Sequence, residues 1–258
     1  MFNIEFLHAI REYEFARIVL HLRSGARILE IGGGTGYQAA RLRDSGFAVS
    51  SIDVAAGIYR DGREFPVQEY DGRHIPFPDA TFDIVFSSNV LEHIPDLAQI
   101  HRETRRVLRP DGYCVHVMPT GSWRFWTNIA HYVELAQRVT AQFARLLPGK
   151  SGENGPVSLR HVVHEIAQVV KHFAVVPRHG EFGNAFTEIV TFGRRHWVDH
   201  FIAQGFVVME VAPLGLFYSG HMIFGSKVPV RFRQGAAAIL GGACTLYKVK
   251  PLNNRISD

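Results

Sequence analysis

The chain has 258 residues, with 28 Lys and Arg against 24 Asp and Glu, a net charge of +4, and 47% apolar residues. A chain of that length and composition is neither disordered nor in need of a disulfide or metal staple, because about three quarters of its unfolded surface can be buried. Its two cysteines, Cys114 and Cys244, lie too far apart for a disulfide framework and fit a reducing compartment.

The opening Met1-Phe2-Asn3-Ile4-Glu5 has no basic stretch before an apolar core, so no signal peptide is expected. The longest uncharged run, Val211–Ser226, contains Pro213 and His221 and is shorter than the roughly 20 apolar residues of a membrane span. The expectation is a cytoplasmic protein, with or without peripheral membrane contact. Charge is uneven: residues 1–120 hold 16 acids and 13 Lys and Arg, whereas residues 121–258 hold 8 acids and 15 Lys and Arg. The second part therefore either faces an acidic partner or presents an ordinary solvated basic surface.

Apolar positions at helical spacing (Ile10, Phe15, Ile18, Val19, Leu22) predict a helix over 4–22. Ala26–Ile31 predicts a buried strand running into glycines, Tyr37–Ser45 a helix stopped at Gly46, and Phe47–Ile52 a strand with Asp53 at its end. Val67–Tyr70 and Phe82–Phe86 follow as strands, then a helix over 96–108, a Pro110-Asp111-Gly112 turn and a strand over Tyr113–Val117. Long helices are expected over 122–147 and 159–173, separated by a Gly149–Pro156 loop. A helix over 194–204, a strand over Phe206–Val211, an irregular stretch and a last strand over Cys244–Val249 close the chain. The alternation predicts an α/β, Rossmann-like doubly wound, mostly parallel seven-stranded sheet. The expected organisation is a core over 1–120, a helical cap or substrate region over 121–192, and a return to the sheet over 193–258 with a second insertion at about 213–242.

The segment Ile28-Leu29-Glu30-Ile31-Gly32-Gly33-Gly34-Thr35-Gly36 joins a strand to a helix. Glycines there allow a sharp turn and close approach of a ligand to the backbone, and the amides at the helix start donate to it. No Gly-Lys-Ser/Thr follows, so a phosphate-cradling lysine is missing. Glu30 would repel a pyrophosphate and suits a cationic ligand. Asp53 at the second strand end can accept from both ribose hydroxyls, and Asp71 at the third can accept from an adenine amino group. Either acid alone could instead cap a following helix.

In this order, Leu29-Glu30-Ile31-Gly32-x-Gly34-x-Gly36, Asp53, Asp71-Gly72-x-x-Ile75-Pro76-Phe77, Phe82-Asp83-Ile84-Val85-x-Ser87-Ser88-x-Val90-Leu91-Glu92-His93 and Arg106-Val107-Leu108-Arg109-Pro110-x-Gly112 resemble class I S-adenosylmethionine-dependent methyltransferases of the type 11 group. The resemblance covers about 25–119 and resumes weakly at 194–211. It implies S-adenosyl-L-methionine as cofactor and S-adenosyl-L-homocysteine as product. Gly32, Gly33, Gly34, Thr35 and Gly36 would pass under the methionine part and Glu30 would help hold it. Asp53, with Val54, would grip the ribose, Asp71 and Gly72 would meet the adenine, and Ser87, Ser88 and Asn89 would border the sulfonium.

Methyl transfer to oxygen needs a base near the methyl. His93 and His179 are the candidates, each weighed against a packing or surface-turn role. Relatives with Glu-x-x-Glu-His hold a metal there; Asn89 replaces the first acid, so no metal is expected. The 179–188 stretch and the aromatics after it loosely resemble methyltransferases associated with surface glycans. The pairs His196/His200 and His161/His164 are read as packed or exposed. Trp123-Arg124-Phe125-Trp126 fits either an acceptor stack or cap packing. Cations flanking the uncharged stretches of 211–247 fit a peripheral membrane contact, a buried cap or a dimer surface. The expected activity is methyl transfer to a small-molecule, glycan or lipid-linked acceptor. A nucleic-acid acceptor is disfavoured because no dense Lys/Arg run or RNA-binding module is present. A non-catalytic scaffold that keeps the cofactor pocket is the remaining alternative.

Overall fold

The computed structural model describes residues 4–54, 63–145, 158–221 and 227–252. Helix α1 (Ile4–Ile18) ends in a single 3-10 turn, Val19–His21, and leads into β1 (Arg27–Ile31). Residues Ile28–Ile31 are all buried, as a strand covered on both faces requires. Their side chains alternate: Ile28 joins Phe15, Ile18 and Leu42 on one face, while Leu29 and Ile31 join Ile52, Phe82 and Phe201 on the other. Then come α2 (Tyr37–Asp44), β2 (Ala48–Val54), β3 (Val67–Tyr70), β4 (Phe82–Ser88), α3 (Leu97–Val107) and β5 (Leu108–Pro119).

The cap follows as α4 (Gly121–Ala144), α5 (Leu159–Phe173) and the short α6 (Thr187–Thr191). The chain returns through α7 (Arg194–Ala203), β6 (Phe206–Pro213), α8 (Val230–Leu240) and β7 (Cys244–Pro251). One sheet runs β3-β2-β1-β4-β5-β7-β6. β1–β5 are parallel, and β7 lies antiparallel between β5 and β6, with Cys114 opposite Val249 and Phe206 opposite Pro251. This is the expected Rossmann-like doubly wound sheet.

Local chemistry starts the helices that position the site. Asp96 accepts from the Gln99 amide at 3.0 Å to open α3, and Thr120 Oγ1 accepts from the Trp123 amide at 3.0 Å to open α4. Three elements differ from expectation. The Pro110-Asp111-Gly112 turn lies inside β5: Phe82 pairs with Leu108 and Ile84 with Tyr113, so residues 109–112 bulge from the ladder. β2 continues two residues past the expected end, carrying Asp53 on the strand itself. The second insertion, expected to be irregular, contains α8. The Gly149–Pro156 loop lies outside the described residues. Among the described residues, no helix is long and apolar enough to cross a membrane.

Candidate active site

The glycine loop leaves β1 where the strand order reverses, between β1 and β4, the place where doubly wound sheets bind ligands. Amides of Gly32 and Gly33 donate to Ile52 O at 2.8 and 3.1 Å, stitching the loop to β2. A Cβ at Gly33 would lie 2.0 Å from Ser51 Oγ, the hydroxyl that donates to Glu30 Oε2 at 2.6 Å. Gly36 precedes α2 with φ 77°, and a Cβ there would meet the Phe65 backbone at 2.7 Å. Any side chain at either position would displace the loop.

Glu30, Gly32, Gly33, Gly34, Thr35 and Ser88 line a cavity of about 300 Å³, roofed by Leu7, His8 and Arg11 of α1. The Glu30 carboxyl is 2% exposed and burial pushes its pKa up to about 8 against the pull of Ser51. A buried acid with one hydroxyl partner suits a ligand that brings its own positive charge. Beside the cavity, Asp53 Oδ2 accepts from the Gly34 amide and Oδ1 from the Val54 amide, both at 2.7 Å. Asp53 thus holds the loop as well as standing where a ribose is expected.

The other expected cofactor residues lie along the same strand ends. A Cβ at Gly72 would be 3.2 Å from Val54, so the β2 and β3 ends adjoin. Asp71 accepts from the amides of Arg73 and His74 at 2.7 Å and pairs with His74 Nδ1 at 2.9 Å, which holds its pKa well below the usual range. Ser87 and Ser88 face opposite sides of β4: Ser87 is buried with its hydroxyl 2.8 Å from His116 Nδ1, and Ser88 faces the cavity. Asn89 takes φ 53° and its amide donates to Val117 O, which turns the chain toward Glu92.

His93 and His179 meet although 86 positions separate them, with ring centroids 4.8 Å apart. Glu92 Oε1 lies 3.9 Å from Nε2 of each, too far for hydrogen bonds, and both of its buried carboxylate oxygens have no hydrogen-bond partner. Burial pushes Glu92 up to about 8 and His179 down to about 4, and it lowers His93 as well. Near neutral pH the cluster therefore holds a protonated carboxyl beside two uncharged imidazoles. The 179 loop is fixed from below: Glu188, fully buried, accepts from the amides of His179 and Gly180 at 2.8 Å and contacts Arg124 at 2.7 Å. Trp123 packs edge-on against His179.

No metal is expected from Asn89 in place of the first acid, and His179 supplies a donor that this reading does not count. One ligand atom from each of Glu92, His93 and His179 lies within 4.8 Å of the others, a donor set able to take a divalent cation. The sequence hid it because His179 arrives from the cap. Elsewhere, His200 Nε2 lies 3.0 Å from His101 Nε2 in a buried cluster with His116, and His161 pairs with Glu165. The Trp123–Trp126 motif divides its work: Arg124 is buried against Glu188, Trp126 donates to Leu240 O, and Phe125 is exposed.

Sheet order, the loop at the switch point and the acids at successive strand ends define a class I S-adenosylmethionine-dependent methyltransferase domain. Its residues fit that cofactor: a buried acid for a cationic group, glycines under the chain, and Asp53 at the rim. Residues 29–116 match the model of the family described as a methyltransferase domain, the type 11 group.

An uncharacterized methyltransferase of Mycobacterium tuberculosis (strain ATCC 25177 / H37Ra) is 33% identical over 132 residues, 47% of this chain and 51% of that one. The 27-O-demethylrifamycin SV methyltransferase of Amycolatopsis mediterranei is 37% identical over 105 residues, 36% of this chain and 39% of that one. The chain thus spans about half or less of these relatives' length. An S-adenosylmethionine-dependent methyltransferase from Mesorhizobium loti shares the fold, with TM-score 0.53 and 15% identity over 92% of this chain and 97% of that one.

Proposed function

We propose that this protein transfers the methyl group of S-adenosylmethionine to an oxygen of a small-molecule, glycan or lipid-linked acceptor. The observation that carries the reading is the meeting of His93, His179 and Glu92, just after Val90, the residue against which Gly32 of the glycine loop packs. The bound cofactor supplies an electrophilic methyl on a sulfonium. The chain's part is to orient the acceptor, keep out water and take its proton. Neutral His179 accepts that proton and passes it on to solvent after the transfer, while Glu92, 3.9 Å away, stays a neutral carboxyl. Trp123 and Phe192 hold the His179 ring edge-on. An oxygen acceptor agrees with the rifamycin methyltransferase among the relatives.

The test is incubation with methyl-labelled S-adenosylmethionine and host extract, followed by separation of lipid and lipid-linked glycan, small molecules, protein and nucleic acid. Label in the first two fractions, lost in His179→Gln, is the expected result. Label in nucleic acid would reject the acceptor class, and no label in a protein that binds the cofactor would favour a scaffold. A second reading, a divalent cation on Glu92, His93 and His179, draws on the same unpartnered carboxylate. It requires activity to fall after chelation and return with added metal, whereas proton transfer by His179 alone requires chelation to change nothing.

A further inference from the structure

The roof of the cofactor cavity comes from α1, a helix outside the 29–116 segment that defines the family. Among the described residues, Arg11 is the one guanidinium lining the cavity, alongside Glu30, Gln38 and Glu64. It reaches Glu14 Oε2 through Nη1 at 3.3 Å, a long contact that engages a single one of its five N–H donors. Glu14 itself is buried and accepts a shorter bond from the Tyr218 hydroxyl at 2.7 Å. The Glu30 carboxyl on the same cavity is bonded to the Ser51 hydroxyl at 2.6 Å. The Arg11 charge therefore lies at the cavity wall with an incomplete set of partners.

The helix does not depend on Arg11 for its seat. Glu12 accepts from Arg41 Nη2 at 2.7 Å and from the Tyr37 hydroxyl, fastening α1 to α2, and His8 packs on the Tyr37 ring. Phe15 and Ile18 anchor the other end in the core. A fastened helix that places an arginine with one long hydrogen bond on the wall of this cavity is suited to receive an anion there.

We propose that Arg11 binds the α-carboxylate of the cofactor's methionyl end while Glu30 faces its ammonium, so that the N-terminal helix is an integral wall of the cofactor site. The inference rests on S-adenosylmethionine as the ligand of this cavity. The two charges of the amino-acid group would then be read from opposite walls, Glu30 from β1 and Arg11 from α1. A guanidinium is suited to this, since it offers two parallel N–H donors to a planar carboxylate.

The test compares two ligands on two proteins by calorimetry: S-adenosylmethionine and decarboxylated S-adenosylmethionine, each with wild type and Arg11→Gln. The wild type should bind the intact cofactor about ten- to a hundredfold more tightly than the decarboxylated one. Arg11→Gln should lose that preference, weakening the intact cofactor by the same factor and leaving the decarboxylated ligand unchanged; Arg11→Lys should recover part of it. Equal weakening of both ligands would assign Arg11 a merely structural role and overturn the proposal, as would unchanged affinity for S-adenosylmethionine. A wild type that binds neither ligand would remove the cofactor reading itself, a result distinct from either.

Discussion

At the scale of single residues, the cofactor cavity combines buried acids with backbone donors. Glu30 carries a proton near neutral pH, since burial pushes it up to about 8. A cationic ligand group beside it favours the carboxylate, so binding releases that proton. The sign follows: cofactor affinity rises with pH while Glu30 must be deprotonated, by up to about tenfold per pH unit, and levels off above about 8. Titration calorimetry in buffers of different ionisation enthalpy reads the released proton directly. Glu30→Gln should abolish it, and release that persists in Glu30→Gln would place the proton elsewhere. Asp53 holds the Gly34 and Val54 amides, and a ribose is expected beside it. Asp53→Ala should therefore cost roughly 1.5–3 kcal/mol of cofactor binding through the lost charge-assisted bonds. Unchanged affinity in a folded variant would sink the ribose assignment.

At the scale of elements, two cap helices are joined by buried polar chemistry. Arg124 of α4 and Glu188 of α6 contact at 2.7 Å with 3% and 0% of their side chains exposed. Glu188 also holds the amides that carry His179. Removing one partner of a buried pair strands the other, so Glu188→Ala should destabilise by about 3–5 kcal/mol. It should also lower turnover more than cofactor affinity, because the loop it releases carries His179, the proposed base. Chemical denaturation and a separate cofactor titration distinguish the two effects.

On the far side of the sheet, His101 and His116 are buried neutral between α3, β5 and α7, with Arg105 and His200 facing them. Their pKa values are lowered to about 2 and about 3, so the unfolded chain takes up protons first as pH falls below about 6.5. Each should cost about 2 kcal/mol of stability at pH 5 relative to pH 7. His116→Phe should remove about half of that dependence in thermal melts, and an unaltered slope would mean that other groups drive it.

These elements also mark what the sequence could disclose. The glycine loop, Asp53 and Asp71 were legible because their chemistry is local to one strand-turn-helix unit. The meeting of His179 with Glu92 was not, because it depends on a buried ion pair between two cap helices. α8 escaped because Gln234-Gly235-Ala236-Ala237-Ala238 offers no apolar-polar period.

At the scale of the molecule, the cap and α8 together present apolar surface. Phe125 and Ile129 of α4, Val190 of α6 and Phe232 and Ile239 of α8 are exposed, Phe232 to 59% and Ile239 to 85%. A groove of about 660 Å³ lined by Phe125, Trp126, Ile189, Pro213 and Ile239 connects α4, α6 and α8. No Asp or Glu occurs between Val211 and Ser257, while Lys227 and Arg231 flank the start of α8 and Arg194 borders the groove. Apolar side chains with Arg194, Lys227 and Arg231 nearby suit the interface of an anionic bilayer, where each cation near the surface adds about 1 kcal/mol. A lipid-linked acceptor would then be met at the membrane that holds it. The protein should co-float with phosphatidylglycerol-containing vesicles and not with pure phosphatidylcholine. Raising salt should weaken the association, because screening shortens the reach of the cations. Phe232→Glu with Ile239→Glu should weaken it at least fivefold without lowering the melting temperature, since both positions are exposed. Equal flotation with neutral vesicles, or a double variant that floats as the wild type does, would assign this face to a second copy of the chain or to an apolar acceptor instead.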